Sequence, residues 1–126
     1  MTGDYPSAAQ AFEESLGIYR DLGDRGGEVT TLNESGTLYR LCGDLSEARS
    51  CHERALDLAR DIGSFWDEAH ALADLGRCAL AAGCAAEAVD QLEQALAIFQ
   101  RIGTAEAAEV ASELQAMRAT EHPAPE

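Results

Sequence analysis

GDLSEARSCHERALDLARDIGS, residues 43–64, decides the fold because the chain holds three versions of it. GDYPSAAQAFEESLGIYRDLGD begins at Gly3 and GCAAEAVDQLEQALAIFQRIGT at Gly83, so the starts at 3, 43 and 83 are 40 residues apart. At that offset Ala8, Ala48 and Ala88 coincide, as do Leu16, Leu56 and Leu96, and Gly23, Gly63 and Gly103. A fixed period of this length marks a stacked repeat architecture. Within each copy the apolar positions have helical spacing. Ala48, His52, Ala55, Leu56 and Ala59 fall on one face of a 3.6-residue helix. Phe12, Leu16 and Tyr19 repeat that face, and so do Leu92, Leu96 and Phe99. Gly63 and Gly103 follow an apolar residue and read as left-handed C-terminal caps. Ser46 is the expected N-cap of the middle copy, with Asp44 in the preceding turn.

A second helix lies between the copies. Ser64 with Asp67 gives an S-x-x-D start, and Ala69, Leu72, Leu75, Gly76 and Ala79 form an inner stripe. Val29, Leu32, Gly36 and Tyr39 do the same one period earlier. The unit is helix, tight turn, helix, tight turn. Small residues at Gly36, Gly76, Ala48 and Ala88 allow the paired backbones to approach closely. One such pair cannot bury its apolar face alone, whereas stacked pairs can.

Composition agrees with an all-α chain and narrows the function. Across 126 residues the formal net charge is −14, and every one of the nine basic residues is Arg. So negative a surface repels phosphate backbones and anionic lipid, which argues against direct nucleic-acid binding. No apolar run reaches the roughly 20 residues of a membrane span, and MTGDYPSAAQ lacks the pattern of a secretory signal. The expected compartment is the cytoplasm, with Cys42, Cys51, Cys78 and Cys84 as reduced thiols. Their spacing fits no metal-binding pattern, and no cofactor is implied.

Around Gly36 stand Leu32 four residues before and Tyr39 three after, then Ala48, His52 and Ala55 at 12, 16 and 19. The next copy gives Leu72, Gly76, Ala79, Ala88, Leu92 and Ala95. This pattern resembles the tetratricopeptide repeat. Two departures are plain. Arg60 and Gln100 stand where the repeat commonly ends its second helix with Pro. The common repeat also has 34 residues, so a 40-residue period lengthens each helix by up to roughly a turn. The stretch LNESGTLYRLCGDLSEARSCHERALDLARDIGS with DEAHALADLGRCALAAG resembles, more narrowly, the C-terminal repeat region of actinobacterial antibiotic-regulatory transcription activators.

The resemblance implies a right-handed α-solenoid of about six antiparallel helices that starts with a half repeat. The expected array spans 1–119: a half repeat 3–24, repeats 25–64 and 65–104, and a capping helix 105–119 in which the register slips to Leu114. Residues 120–126, TEHPAPE, read as a disordered tail. The first helix has no partner before it in the sequence. Two readings are expected: the chain is a piece of a longer array, or this helix offers Phe12 and Tyr19 to an interface with a second copy.

No motif for catalysis is present: no Gly-rich phosphate loop, no HExxH and no GxSxG. Cys51 and His52 are adjacent, but neighbours on a helix point about 100° apart. His52 shares a column with Phe12 and Leu92, so it is expected to be a satisfied, half-buried core residue. Binding is the better prospect. The resemblance implies that the first helix of each pair lines a concave face. It places Thr30, Asn33, Glu34, Thr37 and Arg40 there in one repeat, and His70, Ala73, Asp74, Arg77 and Leu80 in the next. Asn33 could pair with a peptide backbone, and Arg40 and Arg77 with carboxylates, unless neighbouring acids already hold those arginines. The implied partner is a protein or peptide segment, or a neighbouring domain of a larger regulator. Trp66 is expected either to staple its helix against the previous one or to serve as an exposed contact.

Overall fold

The computed structural model describes residues 5–121. Within them lie six α-helices and no strand: α1 Tyr5–Leu22, α2 Arg25–Leu41, α3 Leu45–Ile62, α4 Phe65–Ala81, α5 Ala85–Ile102 and α6 Glu106–Glu121. Each helix packs on its sequence neighbours, and α2 also packs on α4. The result is an α-solenoid rather than a closed bundle.

One turn design recurs. Gly23, Gly43, Gly63, Gly83 and Gly103 all take positive φ, between 70° and 86°. At each, the amide of the following residue bonds back to a carbonyl in the last helical turn, as with Asp44 to Tyr39 at 2.9 Å and Ser64 to Ala59 at 2.9 Å. This closes one helix in a Schellman-type end. In the first, second and third of these turns the same following residue also caps the next helix with its side chain. Asp24 accepts from the Gly27 amide, Asp44 from Glu47 and Ser64 from Asp67. One glycine and one short polar side chain thus end and begin helices within two or three residues, which forces neighbours to run antiparallel. The cap of α3 is therefore Asp44 and not Ser46, which lies exposed inside the first turn. The left-handed glycine at 43 leaves only the next position free to cap.

The core has two parts. Leu16, Val29, Leu32, Ala55, Ala59 and Ala71 form the first. Ala69, Leu72, Ala73, Leu92, Ala95, Phe99, Val110 and Leu114 form the second. Ala48 and Ala88 are fully buried. A Cβ on Gly36 would overlap the His52 ring, and one on Gly76 would meet Leu92 and lie 3.2 Å from the Ala88 carbonyl oxygen. The small residues are where the helices touch.

The two ends differ from the middle. On α1, Ile18 (59 % exposed) and Leu22 (73 %) are bare. Their counterparts one period on, Leu58 and Ile62, pack on the core. α6 contributes one narrow stripe, Ala107, Val110, Leu114 and Met117. It also runs longer than expected. Thr120, read from sequence as the start of a disordered tail, belongs to its last turn, where its hydroxyl donates to the Ala116 carbonyl at 3.0 Å. The remaining tail positions 122–126 lie outside the described residues.

Candidate peptide-binding groove

Because α2 and α4 are first helices of successive pairs and pack together, their free sides border one groove of about 460 Å³. From α2 it is lined by Thr30, Asn33, Glu34, Thr37, Leu38 and Leu41, a single helical face. From α4 come Trp66, Asp67, His70 and Asp74, and α1 adds Phe12. Six expected groove residues are brought together: Thr30, Asn33, Glu34, Thr37, His70 and Asp74. Leu38 and Leu41 were not singled out from sequence, although they continue the 30, 34, 37 spacing and could have been found by extending it.

Several of these side chains already have work inside the protein. Asn33 Oδ1 accepts from His52 Nδ1 at 2.9 Å. That bond puts the imidazole proton on Nδ1 and leaves Nε2 as a bare lone pair, which has no partner among the described residues and faces Gly36. His52 is fully buried rather than half-buried. Burial pushes its pKa below the ordinary value, against the opposing pull of Asp74, whose Oδ2 lies 3.8 Å from Nδ1. The ring is held neutral. Thr30 and Thr37 turn their hydroxyls to the Gly26 and Asn33 carbonyls of their own helix.

The expected arginines do not line this groove. Arg77 faces a separate cleft of about 430 Å³ among α4, α5 and α6, bordered by Leu80, Val89, Leu92 and Met117. It donates from Nε and Nη2 to Glu113 at 2.9 and 2.7 Å and from Nη1 to Asp74 at 2.8 Å. These hydrogen bonds, Glu113's foremost, raise its pKa further and fix the charge in place. Arg40 is half-buried, and its Nε is enclosed without a hydrogen-bond partner among the described residues. Ala73 is part of the core.

Trp66 reaches forward, not back to the previous helix. Its indole donates to Glu106 Oε2 at 3.0 Å, and His70 Nε2 lies 3.2 Å from the same oxygen. The Trp66 and His70 rings stand 4.1 Å apart between centroids, and His70 meets Phe99 edge-on. Backbone hydrogen bonding, then His70, holds the Glu106 carboxyl below its usual pKa. Even so, Trp66 remains 46 % exposed at the groove. Tyr19 packs its ring on Gly27 within the chain, whereas Phe12 is half-buried at the groove.

Burial pushes the Cys51 thiol up to about 11, the opposite of an activated thiolate. Among the described residues no group of three or more His, Cys, Asp or Glu side chains could hold a metal ion. None of the described helices is long and apolar enough to cross a membrane.

The paired helices, their small-residue contacts and the groove along the first helices define a class. Residues 27–101 match the tetratricopeptide repeat family model, and the chain belongs to that family. The fold is also similar to the N-terminal domain of stress-induced protein-1 from C. elegans. That match has a TM-score of 0.59 at 16 % identity and covers 90 % of this chain and 99 % of that one. No curated protein sequence matches the chain. Tetratricopeptide repeats are typically protein–protein interaction modules.

Proposed function

We propose that the chain is a non-catalytic interaction module that takes a peptide segment or a neighbouring domain into the groove between α2 and α4, as the regulatory part of a larger transcriptional regulator. One observation carries the binding reading: Leu41, 68 % exposed, and Trp66 border a groove of about 460 Å³ with polar side chains between them. Exposed apolar groups beside convergent polar ones suit a contact that excludes water. The regulator setting is supported by the sequence resemblance of residues 32–64 and 67–83, which fall in α2, α3 and α4. A cytoplasmic setting suits four cysteines that are all free thiols.

Selection of a phage-displayed random peptide library on the folded protein tests the groove. Selected peptides should change the emission of Trp66, the only tryptophan. Their affinity should drop about tenfold in the Leu41→Ala, Thr30→Arg double variant, which removes one apolar contact and fills the groove. Both positions are exposed, so the melting temperature should hold. Peptides that bind the variant equally well would remove the groove from consideration.

A second reading is favoured by the bare Ile18 and Leu22 on α1. A second copy covering that stripe would make the chain a self-association domain. Sedimentation equilibrium should then show a dimer that Ile18→Glu with Leu22→Glu converts to monomer. A monomer at all concentrations would dispose of this reading.

A further inference from the structure

We infer that the groove selects a basic segment, one or more Arg or Lys residues flanked by apolar side chains, and rejects acidic tails. This inference rests on the reading that the groove is the binding face. It starts from the ionisable side chains lining the groove: Glu34, Asp67, Asp74 and His70.

Glu34 is exposed and has no hydrogen bond or ion pair among the described residues. Asp67 accepts the Ser64 hydroxyl at 2.7 Å and meets no cation there. Asp74 is shared between Arg77 and the neutral His52. His70 is turned to Glu106. Arg77 is held by Glu113 and Asp74, and neither it nor Arg40 is part of the lining. Two carboxylates are thus left without a counter-charge, and no unpaired cation lines the wall.

Apolar surface lies beside these acids. Leu41 and Trp66 are exposed and Phe12 and Leu38 half-exposed, so a ligand with only charge would leave them wet. An Arg or Lys side chain satisfies both demands. Its methylene stem packs on apolar surface while its head reaches a carboxylate or the face of an aromatic ring. A planar guanidinium also fits a carboxylate through two hydrogen bonds. An acidic segment would meet Glu34 and Asp67 at close range and the field of a chain with net charge −14 at long range.

The peptides selected from the random library provide the test, read against the Glu34→Gln, Asp67→Asn double variant. That variant keeps both shapes and the acceptor for Ser64 but removes two charges. Selected peptides should carry net positive charge with apolar neighbours. Their binding should weaken about fivefold in the variant. It should also weaken as salt rises from about 0.05 M to about 0.5 M. Unchanged circular dichroism melting shows that the variant folds. Peptides that lose affinity on the Leu41→Ala, Thr30→Arg variant but carry neutral or negative charge overturn the basic class and leave the groove standing. So do peptides indifferent to Glu34→Gln with Asp67→Asn. Enrichment of no peptide, or only of peptides that ignore both variants, overturns the groove and this inference together.

Discussion

Arg77 and Glu113, 36 positions apart, form a two-pronged pair, with Nε to Oε2 at 2.9 Å and Nη2 to Oε1 at 2.7 Å. The pair joins α4 to α6 beside the cleft that separates their ends. α6 needs the tie because only one narrow stripe, centred on Val110 and Leu114, packs it to the rest. The 40-residue register is broken here, and an arginine expected in the groove fastens α6 instead.

Glu113→Ala should therefore loosen α6 in particular. The expected cost is about 1 kcal/mol, modest because both groups keep some contact with water. Amide hydrogen exchange should accelerate along α6 while α2 and α3 keep their protection. An exchange pattern unchanged in α6 would show that the pair fastens nothing.

The contact between Gly36 and His52 admits no added carbon, since the ring is fixed from its other side by Asn33. Gly36→Ala should destabilise the protein by about 1–3 kcal/mol in urea unfolding. His52→Ala placed in the Gly36→Ala background should cost less than it does alone, because it relieves the overlap. Simple additivity of the two changes would mean that the helices part without strain.

His52 also makes stability depend on pH, and the direction follows from its surroundings. Burial lowers its pKa most, Asp74 opposes, and the positive charges of Arg40 and Arg77 reinforce the lowering. The unfolded chain takes up this proton near the ordinary value of 6.5, while the folded chain takes it up only at lower pH. The contribution of the neutral ring is thus full above the unfolded value. It is lost as pH falls from there toward the folded value. The melting temperature should decline between about pH 7 and about pH 5. In His52→Leu, which copies Leu92 on Gly76, the decline should be shallower. Parallel curves for the two proteins would assign the pH dependence to other groups.

The repeat was legible because backbone demands recur with it. The left-handed glycines and the Gly36 and Gly76 contacts are set by sterics that only a few residue types satisfy, so their columns show in the letters. The groove positions on α2 came from the family resemblance rather than from the letters alone, and Thr30, Asn33, Glu34 and Thr37 share one helical face. What the letters hid were partnerships made across the fold by long side chains. Trp66 finds Glu106 one period later, but Arg77 finds Glu113 out of register, after α6 has turned a different stripe inward. His52 looked like any member of an apolar column. Only packing shows that Asn33 is turned to it and partly withdrawn from a ligand.

Cys84 occupies the position that Asp24, Asp44 and Ser64 fill in earlier turns, and α5 has no side-chain cap. A thiol is a poor acceptor for an amide, so the first turn of α5 lacks the side-chain cap that α2, α3 and α4 have. Cys84→Asp should stabilise the protein by about 1 kcal/mol, by capping and by placing a negative charge at a helix N-terminus. The same residue is the exposed thiol, whereas Cys51 and Cys78 are buried with raised pKa. Titration with a disulfide reagent at neutral pH should therefore show a fast-reacting group that Cys84→Asp removes. Cys51 and Cys78 should react only as fast as the helices open. Fast reaction surviving in Cys84→Asp together with Cys42→Ser would mean that the α2–α3 or α4–α5 contacts open far more readily than their packing implies.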